Sequence, residues 1–193
     1  GLRLARRLRP AWQVTALARS AEAATRLEAE GIATVRADLD APIGPDPRSA
    51  LEATADGSAI AYLAPPPDSG GNDPRLERFL EALGSARPTA FLYMSTTGVY
   101  GDTGGAVVTE ASPVAPANDR SRRRVSAEAA ATTWCGARGV RAAVLRVPGI
   151  YGPHRLPLER LRRGEPALRP EDAGPGNRIH VDDLVTACVA ALE

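Results

Sequence analysis

Five short apolar runs, at residues 12–18, 32–37, 59–64, 89–94 and 140–147, are separated by stretches long enough to be helices. This alternation constrains the fold more than any other feature of the chain. Residues 2–8 read as a helix with Leu2, Leu4, Ala5 and Leu8 on its apolar side. Ser20 caps a second helix over 21–30, which Gly31 ends. Further helices are expected over 48–55, 74–85 (Leu76, Phe79, Leu80 and Leu83 on one face), 122–137, 156–163 and onward from Val181. Strands joined by ten or more helical residues cannot form hairpins. They specify right-handed crossovers and a parallel sheet, hence a doubly wound α/β fold.

The 193 residues correspond to one domain on length, and a hydrophobic content of 44% suffices for a core. A net charge of +1 argues against a polyanionic partner. No apolar run approaches the ~18 residues of a membrane span. Cys135 and Cys188 have no metal-type spacing and read as reduced thiols of a cytoplasmic protein. The Arg-rich, acid-free start, Leu2 to Arg9, has the composition of a transit peptide but fits the first helix better. All 24 basic residues are arginine. A lysine Schiff base, a P-loop lysine and a lysine that tunes a tyrosine are therefore excluded. Arg120-Ser-Arg-Arg-Arg124 points around a helix rather than along one stripe and has no flanking aromatic. It reads as a solvated helix start or a phosphate clamp, not a nucleic-acid surface. Residues 152–177, rich in Pro, Gly and Arg, read as a segment that covers a substrate.

Three segments carry the functional signal: Ser95-Thr-Thr-Gly-Val-Tyr-Gly101, Arg146-Val-Pro-Gly-Ile-Tyr-Gly-Pro153 and Arg178-Ile-His-Val-Asp-Asp183. The first two follow strand-like runs and so deliver polar groups to the carboxyl edge of a sheet, where open α/β folds bind ligands. In this order and spacing they resemble the extended short-chain dehydrogenase/reductase superfamily, the NAD-dependent epimerase/dehydratase group. The resemblance covers residues 1–193 and is nearest to an atypical branch with an altered catalytic pair. It implies a Rossmann-like domain over 1–193 with a small, truncated substrate lobe. By the same resemblance Gly1 is the third glycine of the dinucleotide fingerprint. The first strand and the other two glycines would then lie upstream, leaving a gap in the sheet. Arg19, after the second strand of the fold, would offer a guanidinium fork to a 2′-phosphate, which points to NADP, with NAD as the other candidate. Asp38 corresponds to a residue that contacts adenine, or is a solvated surface carboxylate. Leu39, the backbone of Leu63, Ala64 and Pro65, Ser95, and Pro148, Gly149 and Ile150 would line the remaining cofactor.

In the family a Ser/Thr at the position of Thr96 hydrogen-bonds the reacting oxygen; closing off the strand is the other reading of Ser95, Thr96 and Thr97. A Tyr-x-x-x-Lys pair on the next helix normally moves the proton. Aligning Glu128 with the family's glutamate puts Arg120 at the tyrosine position and Arg124 at the lysine position. Arginine does not exchange its proton, so Arg120 cannot replace tyrosine. Arg124 can still bind ribose hydroxyls or a substrate anion, and it joins Thr96 as a candidate catalytic residue. His180 reads as a hydrogen-bonded structural histidine ahead of a proton donor, and His154 and His180 alone make no metal site. The resemblance implies an NAD(P)-dependent oxidoreductase or epimerase acting on a small polar substrate, a nucleotide sugar or carbonyl compound. The other reading is a non-catalytic dinucleotide-binding sensor or assembly factor. The expected partners are a small molecule and at most a second copy of the chain in a homodimer, with neither nucleic acid nor membrane.

Overall fold

The computed structural model describes residues 1–153, 155, 158–166, 169 and 176–193, without the side chains of 160 and 161. Strands and helices alternate as the periodicity requires: α1 (Leu2–Leu8), β1 (Thr15–Ala18), α2 (Ala21–Glu28), β2 (Ala33–Arg36), α3 (Pro45–Ala55), β3 (Ala59–Tyr62), α4 (Pro74–Ala82) and β4 (Ala90–Thr96). A 3-10 turn (Thr97–Tyr100) leads to α5 (Asp119–Gly136), β5 (Arg141–Val147), β6 (Gly149–Tyr151), α6 (Leu158–Arg162), β7 (Arg178–His180) and α7 (Val181–Leu192). Every strand pair is parallel, in the orders β1-β2, β3-β4-β5 and β6-β7.

The strand β4 shows why this arrangement holds. Its residues Ala90 to Tyr93 are at most 1% exposed, as expected of a strand covered on both faces. Side chains alternate across it: Phe91 and Tyr93 join a core with α3, α4 and α5, whereas Leu92 and Met94 join one with α1 and α7. Tyr62, Phe79, Phe91, Tyr93 and Trp134 form a continuous aromatic group in the first core, with neighbouring centroids 5.2–6.5 Å apart. Helices on both faces of a parallel sheet make this a doubly wound, Rossmann-like α/β fold.

Several element bounds differ from expectation, each for a local reason. Expected strands at 12–18, 32–37 and 59–64 contract to four-residue ladders, because only those residues have a parallel partner. α3 starts at Pro45 rather than 48, since proline at the first turn needs no N–H partner. α5 starts at Asp119 rather than 122, because the Asn118 side chain accepts the Ser121 N–H at 2.9 Å. β6 and β7 are strands that the periodicity does not mark. Pro148 ends the β5 ladder, and the chain then pairs Gly149–Tyr151 with Arg178–His180. The expected helix over 156–163 is Leu158–Arg162, and much of the segment 152–177 lies outside the described residues.

β1 and β3 share no ladder. Yet Leu17 and Ile60 pack on one core and Val14, Ala59 and Ala61 on the other, so both strands border the same two cores, each with one edge that has no ladder partner among the described residues. Unpaired edges leave backbone groups to water. Amide hydrogen exchange should accordingly be slowest in Ala90–Tyr93, paired on both sides, and much faster in Thr15–Ala18. Equal protection of β1 and β4 would contradict this.

Candidate functional site

Parallel strands end together, so the polar residues after β1 to β5 gather along one edge. Two groups of them are physically organised. The first joins β1, β2, β3 and α4. Arg19, 72% exposed in its side chain, lies 3.3 Å from Asp38 and 3.7 Å from Asp40. Asp38 Oδ1 accepts the Asp40 N–H, closing the turn after β2. Arg75, near the start of α4, donates Nε and Nη2 to the two Asp40 oxygens at 2.5 and 2.8 Å, and Nη1 to Pro65 O at 3.0 Å. Arg78 donates to Leu39 O at 2.7 Å. The Arg75 hydrogen bond, with the field of Arg75, Arg19 and Arg78, holds the Asp40 carboxyl below the usual range.

The second group is a buried charge network. Glu128 on α5 receives Nη2 and Nε of Arg146 at 2.8 and 3.2 Å and the hydroxyl of Ser95. Arg146 Nη1 donates to the Tyr100 hydroxyl at 3.0 Å, with its guanidinium 4.9 Å from that ring. Register explains the meeting: Ser95 lies beside Arg146 in the β4–β5 ladder, and both project toward α5. The carboxylate and the phenol raise the Arg146 pKa further. Gly101 follows with φ +72°, and a Cβ there would stand 2.1 Å from Ala115 O, so only glycine lets the two backbones pass.

The sequence-predicted residues fall around these groups. Gly1 caps α1, and a Cβ on it would be 3.9 Å from Leu63, so the start of α1 abuts the end of β3. Leu39 buries its side chain in the core, and Leu63 and Ala64 pack against opposite cores. Ser95 is 4% exposed with its hydroxyl on Glu128. Thr96, one residue on, leaves the opposite face. Its Oγ accepts the Gly98 N–H at 3.2 Å, and no acceptor among the described residues takes its proton. Arg124 donates Nη1 to Met94 O at 2.7 Å and to Tyr93 Oη at 3.2 Å. Its Nε and Nη2 make no hydrogen bond among the described residues. No hydrogen bond joins Thr96 to Arg124. Arg120 is exposed. Gly149 and Ile150 form the ladder with β7, next to half-buried Pro148. His180 Nδ1 accepts the Asp182 N–H at 3.3 Å and caps α7, and its ring meets Tyr151 edge-on at 5.2 Å. His154 lies outside the described residues.

Tyr93 does not stand in for the absent proton donor. Burial pushes its hydroxyl above the ordinary range despite Arg124, and the side chain is 0% exposed. Burial also raises Tyr62, whose hydroxyl has no partner among the described residues. Sequence reasoning missed Asp40, Arg75, Asp73 and the Glu128–Arg146 pair. Asp-Leu-Asp after β2 and Asp-Pro-Arg at the start of α4 are the signals that could have revealed the first three.

Residues 76–193, holding all three motif segments, match the model of the NAD dependent epimerase/dehydratase family. The chain belongs to that family. A candidate NAD-dependent epimerase/dehydratase from Methylobacillus flagellatus is similar in structure, with 27% identity and a TM-score of 0.69 over 98% of this chain and 64% of its own. A conserved protein of unknown function from Silicibacter pomeroyi is similar at 30% identity and TM-score 0.75, over 98% and 63%. The chain thus spans just under two thirds of the length of each. The dTDP-glucose 4,6-dehydratase of Bacillus anthracis, solved with NAD, shares the fold at 16% identity and TM-score 0.80, over 100% and 68%. No curated protein sequence matches significantly. The donor set of this family member fits a dinucleotide at the adenosine end: an exposed guanidinium after β1, a carboxylate after β2, and strand-end backbone after β3.

Two stability predictions follow from the charges. Glu128→Ala strands a partly buried guanidinium and should cost about 3–5 kcal/mol, most of it recovered by Glu128→Met with Arg146→Leu, in urea unfolding. Asp73 caps α4 through Oδ1, but its Oδ2 is buried with no hydrogen-bond partner among the described residues, and burial raises its pKa above the usual value. A carboxyl raised in the folded state stabilises fully below its unfolded pKa of about 4 and loses that contribution as pH rises through the folded value. Asn keeps the cap without the charge. Asp73→Asn should therefore gain stability relative to wild type between pH 3.5 and 7; parallel curves would contradict the assignment.

Proposed function

We propose that this chain is the cofactor-binding part of an NAD(P)-dependent oxidoreductase or epimerase acting on a small polar substrate, with a nucleotide sugar as the first class to test. The observation that carries the reading is a carboxyl edge with an exposed guanidinium after β1 and, at the end of β4, the hydroxyl of Thr96, whose proton has no acceptor among the described residues. The nicotinamide, when bound, would exchange a hydride with the substrate carbon. Thr96 would donate a hydrogen bond to the reacting oxygen and orient it. Arg124, fixed to β4 through one nitrogen, would present the others to a ribose hydroxyl or a substrate anion. Arg19 supports NADP over NAD, because a guanidinium pairs with a 2′-phosphate. Cys135 and Cys188, both buried free thiols, agree with the cytoplasm as compartment.

A second reading has its own support. Arg120 and Arg124 stand where the family resemblance expects tyrosine and lysine, and α5 carries no tyrosine. That favours a dinucleotide-binding sensor or assembly factor. Fluorescence titration with NADPH followed by turnover assays on nucleotide sugars and aldehydes separates the two: binding with turnover supports the enzyme, and binding alone supports the sensor. Arg19→Asp should weaken NADP binding by at least ~10-fold, the scale of one charge-assisted hydrogen bond, while sparing NAD. Equal affinities for both cofactors before and after the substitution would remove the argument for NADP.

A further inference from the structure

The proposed 2′-phosphate position is already faced by an anion belonging to the chain. Asp40 sits between two guanidinium groups, held by both oxygens on Arg75 and 3.7 Å from Nη1 of Arg19. Fork-to-fork pairing is the geometry by which arginine holds a carboxylate or a phosphate. The neighbourhood contains three guanidinium groups (Arg19, Arg75 and Arg78) and two carboxylates (Asp38 and Asp40). Of the two carboxylates, Asp38 is also engaged in closing its own turn. Asp40 is 38% exposed, within reach of solvent and of an arriving ligand.

We infer that Asp40 is a specificity-determining residue: its carboxylate occupies the edge of Arg19 that a 2′-phosphate would need, and so limits how strongly the site favours NADP over NAD. The inference rests on the reading of this edge as the adenosine end of a dinucleotide site. The 2′-phosphate of NADP would meet the negative charge of Asp40 at short range, or would have to draw Arg19 away from it. NAD carries no charge there and meets no repulsion from Asp40. Arg75 makes the competition persistent. Its third nitrogen is anchored on Pro65 O while the other two hold both Asp40 oxygens, so the carboxylate cannot swing clear without breaking two charge-assisted hydrogen bonds. Asp40 would thus act against Arg19, and the cofactor ratio would reflect both residues.

The test is calorimetric titration of the protein with NADP⁺, NAD⁺ and 2′,5′-ADP, using wild type, Asp40→Asn, Asp40→Ser and Asp40→Asn with Arg19→Gln, with melting temperatures of each variant recorded without ligand. The expected result is tighter binding of NADP⁺ and 2′,5′-ADP, by about 10-fold, in both single variants, with NAD⁺ changed by less than about twofold. The gain should vanish when Arg19 is also replaced. Two chemically different replacements guard against a folding defect in one. If NAD⁺ and NADP⁺ bind and their ratio is unchanged in folded Asp40→Asn and Asp40→Ser, the role of Asp40 is overturned while the cofactor reading stands. If no variant binds either dinucleotide or 2′,5′-ADP, the cofactor reading falls and the Asp40 role with it.

Discussion

The ion pair between Glu128 and Arg146 sits where four parts of the molecule must agree. Ser95 brings the end of β4 to it, Tyr100 the 3-10 turn, Glu128 the helix α5, and Arg146 the strand β5. Thr96 and the polar edge owe their position to it, because the backbone of β4 is pinned on the residue just before. Taking two charges out of water is costly and is offset only when their remaining polar atoms are also bonded. Here the carboxylate holds a guanidinium and a hydroxyl, and the guanidinium holds a phenol besides. The consequence is positional: the edge cannot shift without leaving a buried charge alone.

Arginine shapes the rest of the molecule in a related way. Without lysine, every cationic side chain is a planar fork, and many of these forks bind backbone carbonyls instead of carboxylates. Arg123 clasps Gly70 O and Asp68 O, Arg78 holds Leu39 O, and Arg141 takes Ala191 O and Leu192 O at the end of α7. Such forks knit loops to helices at several atoms each, which one ammonium group does less well. The same chemistry that closes lysine-dependent catalysis thus stiffens the surroundings of the site.

The fold was legible in the sequence because it depends on period. β4 reads as a buried strand from Ala90 to Met94 and is one, and the α4 stripe of Leu76, Phe79 and Leu80 faces the core as spaced. What escaped was set by partners far along the chain. The ladder of Gly149–Tyr151 with Arg178–His180 is too short to show a pattern, and its register exists only once both ends are brought together. The site divides similarly. Residue types at strand ends pointed to Arg19, Thr96 and Arg124. The sequence could not show that Ser95 turns inward to Glu128, or that Asp40 and Arg75 meet across 35 positions. Local patterns identify which residues reach the edge; pairing among charges decides what each is free to do there.

The short ladder between β6 and β7 has a consequence for how such a protein can change. It fastens both ends of the segment 152–177 to each other and, through Val181 and α7, to the second core. Once the ends of a connection are fixed, lengthening it adds little closure entropy, about 0.6 kcal/mol for each doubling. A longer connection between the two strands would therefore add little to the entropic cost of closing that ladder.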